Sequence, residues 1–328
     1  MPNLFHAQDL VQRLRGHWRR SLAEPLWGRS AILVLQRVLP CEEQARLPHN
    51  APHCLGPDSF RQLIKSLAEH THITSLRQTR RPHRDPLPRI ALTFDGGWRD
   101  SAEVAAPILD HLALPASIFL PAGQFDRPCG PWWAVIGDAL WERHRPECVR
   151  EALGDAGLPL PPMPPALPDK AYSRTLHDYL TMLRQAPPRQ LHDAARALHG
   201  QLDLPPHALD AFSIRRLEAD GLIRFGAHGA LASLETLDDA GLRRRVRESR
   251  RELAVLCRDP LPTFAFADGA PSPRMQRIVR ECGIAEALSS DIGWLSHRDA
   301  PLALPRIPIS QPIAHSPGRL YDWLIGHL

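Results

Sequence analysis

The sequence predicts an α/β fold, a parallel barrel carrying one helical insertion, on three observations. Short buried-strand runs alternate with amphipathic helices over residues 31–120 and again over residues 222–309. From Pro131 to about Asp210 no strand pattern occurs. Polar residues (Asp95, His228, Asp268, and Asp291 with Trp294) fall at strand ends, where such folds collect ligands.

The composition excludes several classes. A chain of 328 residues that is 43% hydrophobic has length enough to bury a core without disulfides or structural metals. Its 40 basic and 36 acidic side chains leave a net charge of only +4, which does not call for nucleic acid. Six cysteines (Cys41, Cys54, Cys129, Cys148, Cys257 and Cys282) stand far apart with no CxxC pair, against a zinc ribbon and suited to a reducing compartment. No run reaches the roughly 18 apolar residues of a membrane span, and Asp9, Arg13, Arg15, Arg19 and Arg20 interrupt any secretory pattern. A cytoplasmic location is the expectation.

Residues 1–30 hold a basic amphipathic segment, Asp9 to Leu22, with Leu10, Leu14 and Trp18 at helical spacing. It reads as a short packed helix or as a membrane-surface or partner contact. Residues 31–328 form the barrel. Ala31–Leu35 is a buried strand and Asp58–Leu67 an amphipathic helix. Arg89–Asp95 is a second strand, closed by Asp95 and the Gly96-Gly97 pair. Helix Ser101–Leu112 and strand Ala116–Leu120 complete a right-handed βαβ unit.

In the insertion, at about residues 131–210, Trp132-Trp133 precedes an apolar helix, and helical stretches begin at Ala171 and Pro188. The proline run Leu158–Pro168 cannot be helix; it reads as an extended, exposed spacer. Strand Leu222–His228 then restarts the alternation. A long helix follows from about Asp238 to Cys257, whose Arg243, Arg244, Arg245 and Arg247 read as a solvated face or as a polyanion site. Strand Thr263–Ala267, helix Ser272–Cys282, a short strand at Glu286–Ser290 and strand Leu304–Ile309 finish the fold.

An acid and a histidine ending separate strands suit acid/base or metal chemistry, although a strand-end Asp caps the next helix as often. Spacing alone leaves the reaction open.

The motifs are more specific. Thr93-Phe-Asp-Gly-Gly-Trp-Arg-Asp100 resembles the T-F-D-D-G-Y motif of the NodB-homology polysaccharide deacetylases, carbohydrate esterase family four. Phe225-Gly-Ala-His-Gly-Ala-Leu-Ala-Ser-Leu234 resembles their G-x-H-[ST]-x-x-H-x-x-L motif, and Phe264–Gly269 their F-A-Y-P-x-G strand. Leu304–Ile309 resembles the closing strand of one branch. The resemblance runs in order from about Ala31 to Ile309 and implies a distorted (β/α)7-type barrel. It also implies removal of acetyl groups from N-acetylated sugars by a divalent metal, zinc, that polarises the amide and activates water.

Carried over residue by residue, the resemblance makes Asp95 the general base and His228 a metal ligand. The other two ligand positions hold Gly96 and Ala232, which cannot coordinate. The motif-three proline is Ala267, and the arginine that orients the base is not evident. The terminal L-x-H histidine is missing from its place, with His297 and His315 nearby in sequence. Gln36-Arg-Val38 stands where many relatives have H-R-V. Asp268 either joins Asp95 and His228 in a rebuilt site or caps the turn at Gly269. Asp291 and Trp294 resemble a D-x-x-W substrate-pocket element, or are a cap and a packed indole.

With two of three ligands replaced, no cofactor is expected to bind tightly. Two functions follow from the resemblance. One is a carbohydrate N-deacetylase of surface-polysaccharide or glycolipid metabolism with impaired metal catalysis. The other is a non-catalytic saccharide-binding or assembly protein. The expected partners are an N-acetylated saccharide or a lipid-linked sugar precursor, with a peripheral contact to membrane or polysaccharide-synthesis machinery. The ordered strand motifs speak against a proline- and arginine-rich scaffold. Substituting Gly96→Asp with Ala232→His is expected to rebuild a zinc site.

Overall fold

The computed structural model describes residues 24–40, 54–82, 85–121, 130–142, 145–161, 170–229, 234–267, 269–296 and 298–328. The segment Asp9–Leu22 and most of the proline run lie outside these residues.

Strand β1 (Ser30–Leu35) is followed by the short strands β2 (Arg37–Val38), β3 (Cys54–Leu55) and β4 (His72–Ile73), with helix α1 (Pro57–His70) before β4. Strand β5 (Arg89–Asp95), helix α2 (Ala106–His111) and strand β6 (Ala116–Pro121) make the βαβ unit. The insertion contributes α3 (Trp132–Glu142), α4 (Pro146–Asp155), α5 (Lys170–Leu183) and α6 (Pro188–Gln201). Helix α7 (Ala211–Ala219) then leads into β7 (Ile223–Gly229) and α8 (Asp239–Leu256). Strand β8 (Thr263–Phe266), helix α9 (Pro273–Glu281), strands β9 (Glu286–Leu288) and β10 (Ile307–Pro308), and helix α10 (Pro317–Ile325) complete the chain.

The main sheet runs β10-β1-β5-β6-β7-β8-β9, with β4 paired to the start of β5, and every pairing is parallel. It curls into a distorted barrel because the helix-bearing crossovers from β1 to β9 pass on its outer side. The two edges approach through one segment. Leu304 bridges to Leu288 of β9, while Ile307 and Pro308 pair with Leu33 and Val34 of β1. Residues 304–308 thus join the first strand to the last.

The period-2 alternation of the strands sorts their side chains into two layers. Ile90, Leu92 and Phe94 of β5 and Phe225 and Ala227 of β7 face the helices in the main core. Ile32, Ala91, Phe119, Ala265, Leu288 and Leu304 form a smaller cluster inside the barrel. Asp95 and His228 continue the inner rows at the carboxyl ends of β5 and β7. No helix among the described residues is long and apolar enough to cross a membrane.

The four insertion helices bury a core of their own, including Leu140, Leu153, Leu176, Leu180, Leu191 and Leu198. The start of the proline run differs from the exposed spacer expected of it. Leu158 and Pro161 are buried, and the Tyr179 hydroxyl donates to the Pro159 carbonyl at 2.7 Å. Prolines supply no amide donors, but their carbonyls and rings pack as well as any.

Because the insertion's core is separate from the main one, Leu176→Ala should destabilise the insertion by about 2–5 kcal/mol. Chemical denaturation followed by tryptophan fluorescence should then show an early transition, with the far-UV signal of the barrel unchanged. A single transition shifted as a whole would mean that the two cores unfold as one.

Candidate functional site

The site begins with three elements that meet at the barrel rim. β5 delivers Asp95, β7 delivers His228, and the closing segment 304–308 delivers Arg306. Asp95 Oδ2 and His228 Nε2 lie 3.7 Å apart, and both side chains are nearly covered. That separation exceeds a hydrogen bond. His228 Nε2 has no hydrogen-bond partner among the described residues. A cavity of about 80 Å³ adjoins His228 and Gly229, walled by Pro121, Leu234, Val246 and Phe264, and it has room for water.

Arg306 is the residue that sequence reasoning missed. Its side chain is fully buried. Nη1 donates to Asp95 Oδ1 at 2.8 Å, Nη2 to the Phe266 carbonyl at 3.0 Å and Nε to the Ser289 carbonyl at 3.0 Å. The resemblance placed an orienting arginine in motif three, where none stands; here it comes from the closing segment, just before β10. A signal was present, since Arg306 is the one charged residue in the run Leu302–Ile309. Burial by itself pushes the Asp95 carboxyl up. The Arg306 charge, with that of His228, outweighs it and holds the carboxyl well below its ordinary value of 3.8.

A wall of aromatic and charged side chains stands behind Gly96. The Arg37 guanidinium sits 4.3 Å from the Trp98 ring centroid. Its Nε donates to Asp100 Oδ1 at 3.0 Å, and Asp100 Oδ2 also accepts the Val38 amide at 2.7 Å. Burial pushes Asp100 up against the pull of Arg37. Trp98 meets Trp133 of α3 edge-on at 5.3 Å and His207 at 6.4 Å, and His207 Nε2 in turn bonds Asp138 of α3. The insertion is tied to the rim through this wall.

The wall fixes what position 96 can be. Gly96 has φ +101°, a conformation side chains rarely adopt, and a Cβ there would fall inside contact distance of Trp98 Nε1. Glycine at position 96, where the resemblance leads one to expect a carboxylate, is a requirement of this backbone. The expectation that Gly96→Asp rebuilds a metal site fails on this geometry.

The remaining sequence candidates are placed differently. The Asp291 carbonyl accepts the Arg306 amide at 2.8 Å, and Ser289 Oγ donates to Asp291 Oδ2 at 3.3 Å, so Asp291 braces the loop that carries Arg306. Trp294 is buried in the main core and its indole donates to the Leu324 carbonyl at 2.9 Å, away from Asp95. His315 is exposed at the end of the helical turn Gln311–Ala314. Ala232, Asp268 and His297 lie outside the described residues. Among the described residues no three His, Cys, Asp or Glu side chains gather as a metal set. A catalytic zinc keeps three protein ligands. The donors here are His228 and an Asp95 whose other oxygen is committed to Arg306, and they do not fit that requirement.

Neither a protein-family model nor a curated protein matches the sequence. Solved structures do match in shape. The chain is similar to the Streptococcus pyogenes deacetylase PplD, solved in complex with acetate, at TM-score 0.57 and 16% identity over 91% of this chain and 99% of that one. It is similar to IcaB from Ammonifex degensii at TM-score 0.53 and 15% identity, over 91% and 98% of the two chains. A polysaccharide deacetylase from Bacillus cereus aligns at TM-score 0.56 and 11% identity, over 90% and 69%. At such identities the likeness establishes the fold: the chain has the NodB-type polysaccharide deacetylase fold.

Three outcomes follow. Removing one member of a buried ion pair strands the other, so Arg306→Met should cost about 3–5 kcal/mol in urea denaturation. Asp95 has a lowered pKa in the folded state, so the stability it contributes is complete above the ordinary 3.8 and is lost as pH falls toward the folded value. The stability gap between wild type and Asp95→Asn should accordingly narrow only below that pH. Gly96→Asp, alone or with Ala232→His, should lower the thermal midpoint and gain no tight zinc in calorimetric titration. A stable variant with stoichiometric zinc would refute the backbone argument.

Proposed function

We propose that this protein is a carbohydrate N-deacetylase, an amide C–N hydrolase acting on an N-acetylated saccharide in surface-polysaccharide or glycolipid metabolism. The supporting observation is the facing pair: Asp95 Oδ2 and a His228 Nε2 without a partner, 3.7 Å apart at the rim of a deacetylase-type barrel. In this reading a water held between them attacks the acetyl carbonyl carbon. Its proton passes to the Asp95–His228 pair and is returned to the departing nitrogen. The C–N bond breaks, giving acetate and a free amine.

Arg306 keeps Asp95 ionised and fixed in direction, so Oδ2 is always available to accept. Asp268 and Asp291 are assigned to hydroxyl contacts with the saccharide, because both follow strands that end at the rim. Trp294 serves the packing of the main core. No step is routed through a metal, since the described donors do not make a catalytic set. The free thiols of Cys54, Cys148, Cys257 and Cys282 support a cytoplasmic setting, where the substrate would be a lipid-linked precursor or another N-acetylated saccharide.

Purified protein incubated with N-acetylated chito-oligosaccharides should release acetate, and chelation should leave the rate unchanged. His228→Ala and Asp95→Asn should each lower the rate by about 10²–10⁴, the usual worth of a positioned acid/base group. Saccharide binding without acetate release, in wild type and variants alike, would replace the hydrolase with a binding protein on the same fold.

A further inference from the structure

The arginines of α8 divide into two sets. Arg243 pairs with Glu281 at 2.8 Å, and Arg274 and Arg277 of α9 pair with Asp239 at 2.7 and 3.2 Å. Arg245 faces Glu248 at 4.0 Å, and Arg250 donates to the Cys282 carbonyl. By contrast Arg244, Arg247 and Arg251 are exposed and meet no carboxylate among the described residues. The acids close by are already engaged. Asp259 pairs with Arg224 at 3.3 Å, and Glu218 accepts the amides of Arg258 and Asp259.

Spacing puts the unmatched arginines in one row. Residues 244, 247, 251 and 255 follow i, i+3, i+7 and i+11, one stripe along the helix. Like charges three and four apart oppose helix formation, and among the described residues no ion pair of these three arginines offsets that. Val255, 76% exposed, ends the stripe. Beside it runs a groove of about 330 Å³, lined by Arg247, Arg250, Arg251, Leu253, Leu261 and Pro262. Cations therefore sit next to an open apolar floor.

We infer that this outer face of α8 seats the protein on an anionic phospholipid surface. The three guanidiniums spread over roughly 10 Å of helix, at about 1.5 Å per residue, more than one phosphate can span. A surface of repeated phosphates matches that row, and the apolar floor with Val255 matches the layer beneath the headgroups. α8 lies on the outer wall of the barrel, so docking there leaves the rim with Asp95 and His228 uncovered. The inference is independent of the hydrolase reading, because its test reads no activity.

The test is co-sedimentation of the full chain with phosphatidylcholine vesicles, with and without phosphatidylglycerol. Wild type should pellet only with the anionic vesicles and should be released by high salt. Each arginine near an anionic bilayer is worth about a fivefold gain, so Arg247→Gln with Arg251→Gln should weaken partitioning roughly 25-fold. Val255→Ser should weaken it less, with no change in charge. Arg174→Gln with Arg184→Gln, exposed on or beside α5, should bind as wild type does. The inference is overturned if wild type ignores anionic vesicles, or if the α8 double variant binds undiminished. It is equally overturned if inorganic phosphate shifts the amide resonances of residues 247–251 while vesicles do not, which would make the groove a site for a soluble anion.

Discussion

The ion pair between Arg306 and Asp95 is the constraint on which the rest of the rim depends. One guanidinium holds a carboxylate from β5, a carbonyl from the end of β8 and a carbonyl just after β9, while its own backbone belongs to the segment that reaches β1. Closing the barrel and charging the site are the same act. Burying an arginine is tolerable only because every direction in which its fork points meets an acceptor. The result is a carboxylate held ionised, with one oxygen committed and the other turned to His228.

The aromatic wall is the second determinant. Trp98 occupies the space a side chain at position 96 would need, and it is clamped by Arg37 on one side and by Trp133 and His207 on the other. The barrel motif after β5 and the helical insertion are therefore coupled. Glycine at position 96 and the tryptophan packed over it belong together, because a side chain at 96 would need the space that Trp98 fills.

Much of this was legible in the sequence. Strand Arg89–Asp95 has the predicted bounds, and the long helix after His228 and the strand at Thr263 fall within a residue of expectation, because apolar periodicity and caps such as Asp238 and Ser272 mark them. Motif order anticipated that Asp95 and His228 stand close together, since they end inner rows of β5 and β7, the strands that flank β6. What escaped were features set by distant contacts. β2, β3 and β4 are two-residue strands without a period to read. Helices α7 and α10 owe their place to packing on the barrel. Arg306 is a single charge in an apolar run, and its partners lie 17, 40 and 211 residues away, beyond any local pattern. Trp294 was legible as either a substrate-motif residue or a packed indole; the carbonyl of Leu324 that holds it is a contact no local pattern announces.

The account stands or falls on the charge state of Asp95. The most direct measurement is the Asp95 carboxyl carbon chemical shift, followed by NMR against pH in wild type and in Arg306→Met. The account predicts a wild-type carboxyl that stays ionised through and below the ordinary carboxylate value of 3.8, and one that titrates at higher pH once Arg306 is gone. A wild-type Asp95 that takes up its proton at or above that value, unaffected by Arg306, would contradict it.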